Sequence, residues 1–116
     1  MTQWREIQSL DEWQNVLEQS TEKLVLLFKH STTCPISANA FAECQAYIAG
    51  EPRQDVDYVL VKVIESRPVS NQIAADLQVK HESPQTVLLQ NKQAVWNASH
   101  WSITKASLVD VLNGNA

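Results

Sequence analysis

The chain has 116 residues, of which 44% are hydrophobic and 19% are charged, so we expect one globular domain over residues 1–116 whose core needs no metal or disulfide. Its net charge is -4 and its lysines and arginines are scattered, which excludes the basic surface that nucleic-acid binding requires. No apolar run approaches the roughly 20 residues of a membrane span and no signal pattern begins the chain, so we expect a cytoplasmic protein without membrane partners.

The first half of the chain alternates between helical and strand patterns. An edge strand is predicted over residues 4–7, and a capping-box pattern followed by apolar residues at helical spacing predicts a helix over residues 9–19. The nearly continuous apolar run of residues 23–29 predicts a strand that is buried on both faces. A second helix is predicted over residues 34–48, because Pro35 suits the first helical position.

The second half continues this alternation and ends in a hairpin and a helix. The predicted elements are a strand (56–64), a helix (68–77), two short strands joined by a turn (86–89 and 94–96) and a final helix (103–112). The resulting order, β-α-β-α-β-α-β-β-α, requires parallel crossovers followed by an antiparallel hairpin. This order resembles that of the thioredoxin-like fold, an α/β architecture with a central mixed sheet flanked by helices.

Cys34 lies between the predicted central strand and the second helix. The first N–H groups of a helix are unpaired and its dipole is positive there, which favours a thiolate over a thiol. Cys34 is therefore the predicted nucleophile, with Thr33, Pro35 and Ser37 as the residues that support its thiolate. Ser37 stands where dithiol oxidoreductases have a second cysteine, and a hydroxyl cannot resolve a mixed disulfide, which predicts a monothiol mechanism.

Cys44 is too far from Cys34 to resolve its disulfide, and neither Cys44 nor the histidines form a recognisable metal site. Cys44 is ten residues along the helix from Cys34, a rise of ~15 Å, whereas a disulfide tolerates Cα separations of about 4.4–6.8 Å. Cys44 also shares an apolar helical stripe, so we interpret it as a core residue. His30, His81 and His100 lack metal-ligand spacing. His30 and His81 are either solvated residues at strand ends or neighbours that support the Cys34 thiolate.

Ser83 and Pro84 open the penultimate predicted strand. Thioredoxin-like proteins place a cis-proline beside the active cysteine at this point of the fold, so we predict a cis bond between these two residues. We also predict that they bind the substrate, with the backbone of Ser83 pairing with an extended partner chain.

Two segments of the sequence resemble one family in particular. Residues 28–37, Phe-Lys-His-Ser-Thr-Thr-Cys-Pro-Ile-Ser, and residues 81–86, His-Glu-Ser-Pro-Gln-Thr, are similar to the YtxJ-like monothiol bacilliredoxins. The resemblance implies a thioredoxin fold with Cys34 as the nucleophile. It further implies removal of bacillithiol from S-bacillithiolated proteins through a transient disulfide between Cys34 and bacillithiol.

The expected partners follow from this resemblance. They are S-thiolated client proteins and a low-molecular-weight thiol, which is a co-substrate rather than a bound cofactor; the protein itself is expected to be a monomer. No residue distinguishes bacillithiol from glutathione or another cellular thiol. Two other functions stay open: a binding module in which Cys34 is idle, and Cys/His hydrolysis with candidates such as His81 and Glu82.

Overall fold

A five-stranded mixed sheet forms the centre of the structure, a computed structural model that describes residues 3–114. Its strands are β1 (Arg5–Glu6), β2 (Leu24–His30), β3 (Val56–Lys62), β4 (Gln85–Gln90) and β5 (Gln93–Ser99). They lie in the order β1-β3-β2-β4-β5, in which β1, β3 and β2 are parallel while β4 and β5 are antiparallel to their neighbours. The helices are α1 (Leu10–Gln19), α2 (Pro35–Ala49), α3 (Arg67–Leu77) and α4 (Lys105–Gly114), with a short 3₁₀ helix at His100–Ser102.

The predicted order of elements and the thioredoxin-like fold are confirmed. Boundaries differ by a few residues, most at β5, which extends over Gln93–Ser99 because it pairs with β4 along its whole length. Strand β3 ends early, at Lys62, because the chain turns there and the Ser66 N–H bonds back to the Lys62 carbonyl at 2.9 Å. The hairpin needs no glycine because Asn91 and Lys92 both adopt positive φ. Residues 1, 2, 115 and 116, which the expected domain also includes, lie outside the described part of the chain.

Strand β2 is buried along its whole length because helices cover both faces of the sheet. Successive side chains of a strand point to opposite faces. Phe28 accordingly packs into the core formed with α2 and α4, whereas Leu27 packs into the core formed with α1 and α3. The same alternation places Lys29 on the α3 face and His30 on the α2 face.

The ends of β2 and β3 meet the start of β4 at one edge of the sheet, which we call the C-terminal edge. Lys29 pairs with Gln85, so Pro84 lies beside the end of β2, where the chain leaves for Cys34. The segment after β3 lies on the other side of β2, because the Val63 N–H donates to the carbonyl at the end of β2 at 2.9 Å. Two connections therefore flank the segment that leads to Cys34.

Two further findings concern residues 3–114 alone. None of the helices in this range combines the length and the apolar character that crossing a bilayer requires. No group of three or more histidine, cysteine or carboxylate side chains in the same range could hold a metal ion.

Candidate active site

Cys34 is the residue immediately before the first turn of α2. Its backbone is extended, with φ of -105° and ψ of 123°, and Pro35 is the first helical residue, as the sequence predicts. The Cys34 carbonyl accepts the N–H of Ala38 at 3.0 Å, which closes the first turn of the helix. The thiol is free and half-buried. This position combines access for a reacting disulfide with the positive end of the helix dipole.

Ser37 joins the first turn of α2 to the end of β2. Its side chain is fully buried, and its Oγ accepts the backbone N–H of Ser31 at 2.9 Å and lies 2.7 Å from His30 Nδ1. Within residues 3–114 the structure has no hydrogen bond between Ser37 and Cys34. Thr33, the other hydroxyl expected to support the thiolate, is exposed and lies 3.5 Å from Ser31 Oγ.

His30 is buried between aromatic rings and is uncharged near neutral pH. Its ring stacks on Phe28 and Phe41, with centroid distances of 5.5 and 4.9 Å. Burial lowers the pKa of His30, and the positive charge of Lys62 lowers it further. Among the described residues His30 has a hydrogen bond with Ser37 and none with Cys34. It is therefore neither the solvated strand-end residue nor the direct partner of the thiolate that the sequence left open.

The proline loop, residues 80–84, lies on one side of Cys34. The bond between Ser83 and Pro84 is cis, as predicted, and the Pro84 carbonyl accepts the N–H of His100 at 3.1 Å. In the described range, the backbone of Ser83 forms no hydrogen bond and its buried Oγ has no partner. The backbone of Ser83 is therefore unpaired at the C-terminal edge, whereas its unpaired Oγ is buried beneath the surface.

Apolar side chains are exposed on both sides of this edge. Trp101 belongs to the 3₁₀ helix that Pro84 anchors and that packs against α2, and 63% of its surface is exposed. Ile64 follows β3 and is 46% exposed. Its neighbour Glu65 accepts a hydrogen bond from the hydroxyl of Thr32 at 3.3 Å, which ties this segment to the loop before Cys34.

Lys29 is a charged residue that the sequence pattern did not single out, because it appeared only to bound an apolar strand. It is 1% exposed, and its Nζ donates to the Ser70 carbonyl at 3.2 Å and lies 3.3 Å from His81 Nδ1. Burial lowers the pKa of Lys29 to about 8. His81 thus contacts Lys29 on the α3 side of the sheet, and the structure has no hydrogen bond between His81 and Cys34 among the residues it describes.

Cys44 is a core residue, as predicted. It is fully buried on the face of α2 that packs on the sheet. Burial raises the pKa of the Cys44 thiol to about 12, and the negative charge of Glu43 contributes to the rise. Cys44 therefore favours the protonated thiol at neutral pH, which makes it a poor nucleophile.

Comparison with solved structures supports the fold assignment. A protein described as a candidate oxidoreductase with a thioredoxin fold is 36% identical, with a TM-score of 0.81 and coverage of 93% of this chain and 92% of that one. Thioredoxin of Fasciola hepatica is 15% identical (TM-score 0.73, coverage 97% and 99%). Thioredoxin of Malassezia sympodialis is 19% identical (TM-score 0.74, coverage 98% and 91%). At such low identity the two thioredoxins support the fold alone.

The fold, together with an accessible cysteine at the start of α2, defines a protein of the thioredoxin-like thiol oxidoreductase class. A model of one family within this class, described as monothiol bacilliredoxin BrxC, matches residues 5–108. The chain belongs to this monothiol bacilliredoxin family. The resemblance seen in the sequence around Cys34 and Pro84 is thereby confirmed.

Proposed function

We propose that the protein removes bacillithiol, or a similar low-molecular-weight thiol, from S-thiolated proteins by exchange at Cys34. One observation carries this proposal above all. Cys34 is an accessible thiol at a helix N-terminus, while the usual position of a resolving cysteine holds Ser37 and the only other cysteine, Cys44, is buried in the core. Such a site suits one nucleophilic sulfur that acts without an internal partner.

The exchange has two balanced steps. The Cys34 thiolate attacks the small-thiol sulfur of a client mixed disulfide, forming a Cys34–small-thiol disulfide and releasing the client cysteine as a thiolate. A second thiolate from solution then attacks the sulfur of the small thiol and releases Cys34 as a thiolate. The small thiol and the attacking thiol leave joined to each other as a disulfide. This cycle needs a pool of free thiol, as in the reducing cytoplasm where we place the protein.

Three neighbours of Cys34 would support its thiolate. Pro35 begins the helix whose dipole acts on the sulfur. Ser37 fixes the first turn of that helix to the strand end through Ser31, which keeps the N-terminus of α2 in place. Thr33 contributes an exposed hydroxyl one residue before the sulfur. Their role is to stabilise charge on the thiolate both before attack and when Cys34 leaves.

The client would bind across the proline loop. The unpaired backbone of Ser83 beside Pro84 offers hydrogen bonds to an extended client segment. Exposed Trp101 and Ile64 offer apolar contacts on either side of the thiol. This arrangement binds main chain rather than a particular side chain, which suits an enzyme that acts on many modified proteins.

Two alternative functions have less support. Hydrolysis needs a histidine that activates the cysteine, yet in the described residues the hydrogen-bond partners of His30 and His81 are Ser37 and Lys29. A binding module without turnover would use the same proline loop. It would give no reason for a free cysteine at the N-terminus of α2, so we favour the exchange reaction.

Mass spectrometry of the reacted protein tests the proposal. The reduced protein is incubated with a client peptide that carries bacillithiol, glutathione or cysteine as a mixed disulfide. We expect one small-thiol adduct, located on Cys34 and reversed by added thiol, with Cys34→Ser as the inactive control. A disulfide between Cys34 and Cys44, or the absence of an adduct from all three substrates, contradicts the proposal.

A further inference from the structure

Two positive side chains, Lys29 and Arg67, and the His81 imidazole lie on the α3 side of the C-terminal edge, although the chain as a whole is acidic. Buried Lys29 contacts His81 of the proline loop, and Arg67 begins α3 immediately beyond the segment that flanks Cys34. These residues come from three separate elements. The fold therefore brings them together, and their grouping is not a local feature of the sequence.

Lys29 is an ammonium group buried without an opposite charge. Within residues 3–114 none of the ion pairs includes Lys29, and its contacts are the Ser70 carbonyl and the His81 ring. Burying an uncompensated charge is unfavourable, and such residues concentrate at functional sites. Its field acts through protein rather than water, so it is screened little at the nearby surface.

His81 connects the buried Lys29 ammonium with the protein surface. Its ring is solvent-exposed, and its Nδ1 lies against the Lys29 ammonium, which has only donors to offer. Nδ1 must therefore accept, which leaves the proton on Nε2 as a free donor. Partial burial and then the charges of Lys29 and Arg67 lower the pKa of His81, whereas Glu82 raises it, so His81 acts here as a neutral N–H donor beside two positive groups.

The acidic residues nearby have contacts of their own, although Glu82 also acts on His81. Glu82 lies 4.0 Å from His100, and Glu65 accepts the hydroxyl of Thr32. Arg67 takes part in none of the ion pairs found in the part of the chain that the structure describes. In the described residues Arg67 is thus an exposed cation without an ion-pair partner, close to the exposed N–H donor of His81, a combination that an anion could use.

We propose that Arg67 and His81, backed by the buried Lys29, form an anion site that binds a carboxylate of the small thiol transferred by Cys34. The inference rests on the proposed function and specifies its co-substrate as a thiol that bears carboxylates, a class that includes both glutathione and bacillithiol. The location fits this role, because the two connections that carry Arg67 and His81 are the ones that flank Cys34. The protein chain of the client would then bind the proline loop while the small thiol extends towards α3.

Charge removal from both protein and ligand tests the site. A client peptide is loaded either with glutathione or with glutathione diethyl ester, which has the same sulfur and backbone but no carboxylates. The double variant Arg67→Gln, His81→Gln should lower kcat/KM for the glutathione adduct about tenfold, from the loss of one solvent-exposed charge contact and one hydrogen bond. It should change kcat/KM for the diester adduct less than about twofold. Lys23→Gln, at the far end of β2, removes an exposed charge and should affect neither substrate.

A binding measurement separates this site from the exchange reaction itself. S-methylglutathione, which cannot react, should shift the NMR signals of the His81 ring in the wild-type protein, while its diester should not. Equal losses on both adducts, or no loss on the glutathione adduct, overturn the anion site while transfer by the wild type keeps the proposed function intact. Absence of transfer in the wild type from both of these adducts and from a bacillithiol adduct refutes the proposed function and this inference with it.

Discussion

Ser37 Oγ lies 2.7 Å from His30 Nδ1 and also accepts the backbone N–H of Ser31. The residue at the position of a resolving cysteine is therefore a structural tie between β2 and α2. A hydroxyl can serve both contacts, because it accepts one hydrogen bond and donates or accepts the other. Ser37 thus has two effects: it replaces the resolving cysteine, and it holds the start of α2 in place.

Ser37→Cys should convert the monothiol site into a dithiol site. The two positions are three residues apart at the start of a helix, a separation that C-x-x-C oxidoreductases bridge. After transfer, the new thiolate attacks Cys34, releases the small thiol and leaves an internal disulfide. Mass spectrometry should find a protein two hydrogens lighter than its reduced form, where the wild type carries an adduct. Persistence of the adduct in Ser37→Cys would show that the buried position does not reach Cys34.

Ser37→Ala is the matched control for this variant. It adds no sulfur, so the adduct on Cys34 should remain. It also leaves the buried N–H of Ser31 without an acceptor, which should lower the free energy of unfolding by about 1–3 kcal/mol. Urea denaturation measures the loss. An unchanged midpoint contradicts the role of Ser37 as the tie between β2 and α2.

Cys44→Ala should retain thiol transfer and lose some stability. The Cys44 side chain is fully buried, so its truncation removes packing contacts and should destabilise the fold by about 1 kcal/mol. Transfer rates with a thiolated peptide should stay within about twofold of the wild type, because the thiol, with a pKa of about 12, takes no part in exchange. A folded Cys44→Ala protein without transfer would mean that Cys44 resolves the adduct.

The sequence predicts the fold well because its signals are local and mutually consistent. The central strand is a run of apolar residues, the Cys34-Pro35 pair begins a helix, and helical and strand periods alternate along the chain. The 3₁₀ helix at His100–Ser102 was not predicted, because three residues are too few for any period to appear. Its backbone contact with Pro84 forms only once β4 and β5 are paired.

The site is only partly visible in the sequence for a related reason. Cys34 and Pro84 are marked by their positions relative to predicted elements, so they could be named in advance. The contact of Ser37 with His30 and that of Lys29 with His81 depend on how strands and loops pack. Lys29 resembled a polar residue that ends a strand, but the strand continues to His30 and α3 covers the lysine.

Trp101→Ala should weaken the binding of protein clients more than that of small disulfides. The indole is 63% exposed beside the proline loop, and burial of such a ring often dominates an interface. We expect KM for an S-thiolated protein to rise about fivefold, with the rate on a small mixed disulfide unchanged. Val95→Ala removes an exposed apolar side chain from β5 and serves as the control. Equal effects of both variants would place the client elsewhere.

Lys29→Met should change how stability depends on pH. The pKa of Lys29 is about 8 in the folded protein, below the ~10.4 of an unperturbed lysine, so between these values the unfolded chain binds more protons. The buried charge therefore destabilises the wild type fully below pH 8, and this penalty disappears as the pH rises towards 10.4. Methionine has similar length and no charge, so the variant should be more stable than the wild type at pH 7.

The quantity to measure is the difference in free energy of unfolding between Lys29→Met and the wild type. Urea denaturation at pH 7 and at pH 10 should show the advantage of Lys29→Met shrinking by on the order of 1–3 kcal/mol. The raised pKa of Cys44 also affects stability at alkaline pH, but it is present in both proteins and cancels in the difference. Lys23→Met makes the same chemical change at an exposed lysine and should show a constant gap. A constant gap for Lys29→Met would mean that the Lys29 ammonium is not the desolvated charge from which the anion site draws its field.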